Sequence, residues 1–446
     1  MMADILDFRS ALSNTSAART LFFLGLVACG AASQASAQSK VDAAVSAIES
    51  KVIEWRRDIH QYPELGNREA RTAALVAAHL RALDFDEVRT GLAHTGVVGV
   101  LTGAKPGPIV ALRADMDALP VTEPLGLPFA SKVRTTYQGQ ETGVMHACGH
   151  DAHTAILMGA AAALAGMRED IEGTVLFIFQ PAEEGAPEGE EGGARLMIKE
   201  GVFKSYLPEA LFALHTLPIP AGTINYSSGG AMMGADTLKI TVTGKQTHAA
   251  QPHLGVDPIT VSAQIITALQ SIPGRQISAV KSPAIISVGS IHGGIRGNII
   301  PDSVVMSGTV RLLDPASRED VLMRIRRTAE SIAASAGAKA VVETAQYSPV
   351  LYNNPALIRQ MTPTLNRVLG AENVIEAPPI TPSEDFAFFA DKIPSFYFFL
   401  GVNAPGVERA APNHSPDFFV NDGALAIGVK ALTAMTLDYP KTKPGR

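Results

Sequence analysis

Apolar positions recur at helical spacing from about Lys40 onward, through Val45, Ile48, Val52, Ile53, Trp55 and Ile59, and predict an amphipathic helix. A second is predicted over residues 68–83. Short, almost wholly apolar runs follow at 96–101, 109–114 and 174–179, with an alanine-rich helix over about 153–166. Strands that lack a polar face and alternate with helices belong to a sheet covered on both sides, so this part of the chain predicts an α/β fold.

Near Asp236 the pattern changes. Leu238–Val242 alternates like a half-exposed strand. A helix is predicted over 258–269, with Asp257 as its N-cap and Pro258 in its first position. Strands at 284–288, 304–311 and 340–344 and a charged helix over 317–334 complete the order β-α-β-β-α-β, a ferredoxin-like arrangement. The α/β pattern resumes near Asn354. A chain of 446 residues is too long for one ordinary core, and the division expected is a principal domain of residues 40–235 and 348–446 interrupted by an inserted domain of residues 236–347.

Composition narrows the function classes. The hydrophobic fraction of 46% and charged fraction of 18% describe a packed globular chain. A net charge of −6 with no basic run excludes nucleic acid as the main partner, because phosphate binding needs a basic face. At the N-terminus, Arg9 and Arg19 precede the apolar stretch Leu21–Ala28, too short to remain as a membrane-spanning helix. Ala35-Ser36-Ala37 fits a signal-peptidase site, so residues 1–37 read as a signal peptide. Leu26-Val27-Ala28-Cys29 competes as a lipoprotein box that would leave Cys29 lipidated on a membrane, and an uncleaved leader is the third reading. The expectation is export: periplasmic, secreted or lipid-anchored. Removal of the leader leaves Cys148 as the one remaining cysteine, so no internal disulfide can form.

Cys148 lies among histidines, in His146-Ala147-Cys148-Gly149-His150-Asp151-Ala152-His153. A thiolate and an imidazole two residues apart can face one cation where Gly149 allows a tight turn. A structural loop and a cysteine nucleophile are the rival readings; the nucleophile is the weaker, because a base two residues along the same loop is badly placed to take the thiol proton. Glu183 and Glu184 follow the strand 174–179, where open α/β sheets bind ligands and where adjacent acids can divide the roles of metal ligand and base. Taken alone they also fit a solvated loop, as do Glu188, Glu190 and Glu191 in the acidic loop 186–191. His215 ends an apolar strand and would ordinarily be a core residue; His414 stands in Asn413-His414-Ser415-Pro416. One Cys, three His and one Glu suit Zn²⁺, Mn²⁺, Co²⁺ or Ni²⁺ and not Ca²⁺ or Mg²⁺.

In this order the motifs resemble the M20 family of metallopeptidases, in its amidohydrolase branch of N-acyl-amino-acid, hippurate and indole-acetyl-amino-acid hydrolases. The resemblance covers about residues 50–435 and includes Leu112–Pro120, His248-Ala249-Ala250-Gln251-Pro252-His253, Asn298–Asp302 and Ser383-Glu384-Asp385-Phe386. It implies a zinc-peptidase-like catalytic domain with a mixed central sheet flanked by helices, plus an inserted ferredoxin-like dimerisation (lid) domain. It implies two divalent metal ions per chain on Cys148, His150, Glu184, His215 and His414. Glu183 would be the general base toward a metal-activated water. His248 would reach the partner subunit's site in a homodimer and donate to the oxyanion. Asn298 and Arg311 would help hold a substrate carboxylate, and Asp117 would support the ligands from behind.

The function expected is therefore metal-dependent hydrolysis of the amide bond of N-acyl amino acids or related small amides. A dipeptidase or carboxypeptidase would share the metals. A non-catalytic envelope binding protein is the alternative from another class, and the presence of all five candidate ligands together with Glu183 weighs against it.

Overall fold

The computed structural model describes residues 14–442 apart from 125, 408 and 409, with side chains from residue 38. The signal-peptidase and lipidation expectations turn on residues 1–37, including the side chain of Cys29, and lie outside the described residues. The first helix, Asn14–Gln61, begins well before Lys40. Among the described residues, no helix is long and apolar enough to cross a membrane.

An eight-stranded mixed sheet forms the principal core. Its order in space is Glu87–Leu92, Gly96–Thr102, Glu172–Gln180, Lys105–Asp115, Ala210–Leu217, Ser395–Gly401, Ile224–Tyr226, Val374–Glu376. The central strands Glu172–Gln180, Lys105–Asp115, Ala210–Leu217 and Ser395–Gly401 run parallel to one another. Alternation along them feeds two cores. Phe177 and Phe179 join one hydrophobic cluster with the helices Asn14–Gln61, His150–Gly166 and Leu425–Asp438, while Leu176 and Ile178 join another with Met197, Phe386 and Tyr397. A strand buried on both faces has no polar alternation to show, which explains the continuous apolar runs. Each fully buried Phe or Leu contributes about 1.5–3 kcal/mol relative to exposure.

Strands with weaker patterns escaped prediction, Glu87–Leu92 at the edge and the three-residue Ile224–Tyr226 and Val374–Glu376, and so did Ser395–Gly401 despite its wholly buried apolar run. The helix expected from 153 starts at His150, so that its first turn carries a candidate ligand.

Between Gly234 and Ser348 the chain forms a separate four-stranded antiparallel sheet, ordered Ala284–His292, Ser303–Leu312, Gly234–Thr243, Lys339–Ser348. The helices Pro258–Leu269 and Arg318–Ser335 cover one face, packing Ile265, Leu269, Ile325 and Ala329 onto Ile240, Met306 and Val310. Asp257 caps the first of these helices by accepting from the Ile259 and Thr260 amides. The Gly229–Met232 and Leu351–Asn353 strands pair antiparallel and tie the entry and exit of this segment together.

Candidate metal centre

The parallel strands Lys105–Asp115 and Glu172–Gln180 end side by side, with Asp115 opposite Gln180. The turns and loops beyond these strand ends build the site, as expected at the carboxyl edge of an open sheet. Glu183 and Glu184 come from the turn after Gln180. His215 stands near the end of the neighbouring Ala210–Leu217 strand. Cys148 and His150 flank Gly149, whose φ of +93° lets the chain turn sharply into the helix. A Cβ at 149 would stand 2.1 Å from Thr216 Oγ1, so the turn needs glycine for space as well as for φ. His414 arrives from the loop before the last helix with a φ of +69°. This is an uncommon conformation for a non-glycine residue, and such strain gathers at functional sites.

The five candidate ligands converge. Ligand atoms of Cys148, His150 and His215 lie within 4.8 Å of one another, as do those of Cys148, Glu184 and His414, and those of His150, Glu183 and Glu184. Cys148 Sγ is 3.3 Å from His215 Nε2, and His414 Nε2 is 3.0 Å from Glu184 Oε1.

A second layer of hydrogen bonds aims these groups. His215 Nδ1 donates to the Thr216 carbonyl at 2.8 Å, which leaves Nε2 free as an acceptor facing Cys148. Asp117 accepts from His150 Nδ1 at 3.2 Å and from the Glu184 amide at 2.9 Å, so one carboxylate orients two ligands. His153 Nε2 accepts from the Thr216 amide, so its Nδ1 carries the proton and donates to Asp115 at 2.6 Å. Asn413, next to His414, donates to the carbonyls of Cys148 and Thr216. Of the two further histidines in the motif, His153 is thus bound into this layer. His146 is buried with neither ring nitrogen hydrogen-bonded among the described residues.

The donor set fits divalent cations. His150 Nε2 is buried without a hydrogen-bond partner and points into the site. Buried polar atoms left in this way are rare unless something else binds them. Negative charge is in surplus. Burial first, and then the nearby carboxylates Glu384, Glu184, Asp385 and Asp117, push the Glu183 carboxyl well up. Burial and the acids Glu184, Glu183 and Asp115 push the Cys148 thiol up. Burial opposes charge on His150, but Asp115, Asp117 and Glu184 outweigh it and raise the imidazole to about 10. A bound divalent cation would offset this charge and favour the Cys148 thiolate and the neutral His150 imidazole, a donor set that matches the borderline metals expected from the residue types.

The centre opens into a cleft of about 700 Å³. Leu217, Met232, Ile380 and Phe399 give it apolar walls, and Arg311 reaches its rim from the second sheet, donating weakly to the Thr381 carbonyl at 3.4 Å. The structure does not bring His248 or Asn298 to the cleft of their own chain. Both are exposed at the far edge of the inserted segment, where the Ala249 amide donates to the Asn298 carbonyl and the Ala250 amide to His248 Nδ1. The acidic loop 186–191 is tied down: Arg68 and Asn67 hold Glu190, lowering its carboxyl to about 2, and Lys199 pairs with Glu191.

Sequence reasoning missed the support beneath Glu183. Fully buried Arg113 donates to Asp115 at 2.6 Å, to Glu384 at 2.9 Å and to Gln180 at 2.8 Å, and reaches Asp385 at 3.3 Å. Glu384 also accepts from the Tyr397 hydroxyl at 2.6 Å, and the Asp385 amide donates to Glu183 at 3.3 Å. Arg113 and Asp115 in one strand and Glu384-Asp385 far along the chain were visible as motifs, but nothing in the sequence paired them.

Comparisons with known proteins identify the family. The family described as "Peptidase family M20/M25/M40" matches residues 111–438. Thermostable carboxypeptidase 1 of Saccharolobus solfataricus is 41% identical over 89% of this chain and 97% of its own length. N-acetylcysteine deacetylase of Bacillus subtilis is 38% identical over 85% of this chain and 94% of its own. An IAA-amino acid hydrolase of Arabidopsis thaliana is 34% identical over 89% and 88%. The crystal structure of a Bacillus subtilis dinuclear metal binding peptidase from the M20 family superposes with a TM-score of 0.76 at 34% identity, covering 89% of this chain and all of that one. With a family match over residues 111–438, relatives of 34–41% identity over most of both chains and a shared fold, the chain belongs to peptidase family M20/M25/M40.

Proposed function

We propose that this chain hydrolyses the amide bond of N-acyl amino acids that carry an apolar group, using Glu183 as general base. The observation that carries the reading is the convergence of Cys148, His150, Glu184, His215 and His414 around Glu183 on the floor of one cleft. When bound there, a pair of divalent ions supplies Lewis acidity to the scissile carbonyl and to the attacking water. Glu183 takes the proton of that water and delivers it to the leaving nitrogen. The apolar walls accommodate the acyl group or side chain, and Arg311 meets the carboxylate of the amino acid.

The commitment of Glu384 and Asp385 to other donors favours an acylated substrate over one with a free amine. Glu384 accepts from Arg113, Tyr397 and the Phe386 amide, and Asp385 from Arg113, Gln180 and the Ala194 amide. Three donors already hold each of these acids, which weakens both as partners for an ammonium group. A C-terminal carboxypeptidase reading uses the same Arg311 contact and draws support from the Saccharolobus relative. Turnover on a panel of N-acyl amino acids, blocked peptides and dipeptides, with metal analysis, separates these readings. N-acyl amino acids should be cleaved best, and Glu183→Gln should lose about 10²–10⁴ of the rate with metal retained. Cleavage of free-amine dipeptides alone would sink the reading.

Two further proposals rest on pattern. Residues 1–37 direct export, ending at the A-x-A site or at a lipidated Cys29; N-terminal sequencing and mass analysis of the envelope protein decide, and an intact Met1 in the cytosol counts against both. The inserted sheet mediates a homodimer in which His248 acts on the partner's substrate. Mixing His248→Ala with Glu183→Gln chains should restore part of the activity, and a fully active monomer would refute this.

A further inference from the structure

The inserted sheet buries one face beneath its helices and turns Ile285, Ser287, Thr309, Arg311 and Tyr347 toward the cleft. Tyr347 is set apart by its backbone. Ala235 faces Ser348 and Asp236 faces Gln346, so Tyr347 is the extra residue of a β-bulge at the point where the chain returns to the principal domain. Bulges sharpen the local twist and re-aim side chains, and they gather beside active sites. The small Ala235, cross-strand from Arg311, leaves room between Arg311 and the phenol on this face.

The phenol stands beside the turn that carries Glu183 and Glu184. Its hydroxyl is 3.6 Å from where a Cβ on Gly185 would stand, directly after the Glu183–Glu184 pair, and Gly185 has a φ of +115° that suits only glycine. Tyr347 is 56% exposed and makes no hydrogen bond to any described residue. Among the described residues lining the cleft it is the one phenol. A phenol keeps its proton at neutral pH, so the hydroxyl is available as a donor. On a floor dominated by carboxylates, an uncommitted donor facing inward is matched to an acceptor that the substrate brings.

We infer that Tyr347 is a catalytic residue supplied by the chain's own inserted segment, its hydroxyl donating a hydrogen bond to the scissile carbonyl oxygen as that oxygen gains negative charge. No proton is transferred; the donor stabilises charge in place. The inference rests on the amidohydrolase reading above.

The test compares wild type, Glu183→Gln, Tyr347→Phe and Tyr347→His on the best N-acyl amino acid of the panel. Metal content and melting temperature are recorded, and affinity for a tetrahedral phosphonamidate analogue is measured by calorimetry. Tyr347→Phe should lose on the order of 10² in kcat, with KM within about threefold and metal content unchanged. Its affinity for the phosphonamidate should fall in parallel, and Tyr347→His, which keeps a donor, should recover part of the loss. Unchanged kcat in Tyr347→Phe, a rise in KM alone, or equal losses in Phe and His variants would overturn the role for Tyr347 while leaving the amidohydrolase reading intact. Wild type inert toward every N-acyl amino acid would overturn both.

Discussion

Gly149 shows how a residue with no side chain decides where two ligands point. Its φ of +93° and the 2.1 Å approach of Thr216 Oγ1 leave no place for a Cβ. Gly149→Ala should therefore lose about 1–3 kcal/mol of stability and some metal content together, read by thermal melting and metal analysis. Wild-type values in both would show that the turn relaxes freely. Arg113 is the charged counterpart. It is fully buried among Asp115, Glu384 and Asp385, and removing it leaves carboxylates without compensation. Arg113→Gln should cost about 3–5 kcal/mol, seen as a large fall in denaturant midpoint. A loss below about 1 kcal/mol would mean the acids take up protons in its place.

Elements differ in how locally they are specified. The helix Pro258–Leu269 begins at Asp257-Pro258, and Asn354 before Pro355 caps Pro355–Leu369 in the same way, accepting from the Ala356 and Leu357 amides. These boundaries are properties of two or three adjacent residues. Asp257→Ala should lower stability by about 1 kcal/mol without changing kcat, measured by melting and by turnover on the same preparation. A change in turnover alone would implicate this helix in the site. By contrast, the His150–Gly166 helix has no capping side chain, and nearly its whole length is buried. Tertiary packing and the Gly149 turn set its start, and the apolar pattern alone placed it three residues late.

At the scale of the molecule, the centre joins segments from four distant parts of the chain, so cations bound there should stabilise the fold as a whole. Chelation should abolish turnover and lower the melting temperature, with both restored by a divalent metal; at a free metal concentration of 100 Kd the stabilisation is about 2.7 kcal/mol. Turnover that survives complete chelation would count against the metal mechanism. Much of this architecture was legible in the sequence, because apolar runs without alternation imply a doubly covered sheet, and alternating strands imply a half-exposed one. The ligand types Cys148, His150, Glu184, His215 and His414, and Glu183 beside them, were legible for a similar reason: their motifs are short and their chemistry is carried by residue identity. The sequence by itself thus determined local matters, namely most of the longer helices and strands, where the Asp257-capped helix begins and which side chains have the chemistry to bind a metal. Only the tertiary structure decided which distant groups meet: Arg113 with Glu384 and Asp385, Asp117 with both His150 and Glu184, and Tyr347 over the Glu183 floor. Contacts of that kind depend on strand order and register across hundreds of residues, and no spacing along the chain records them.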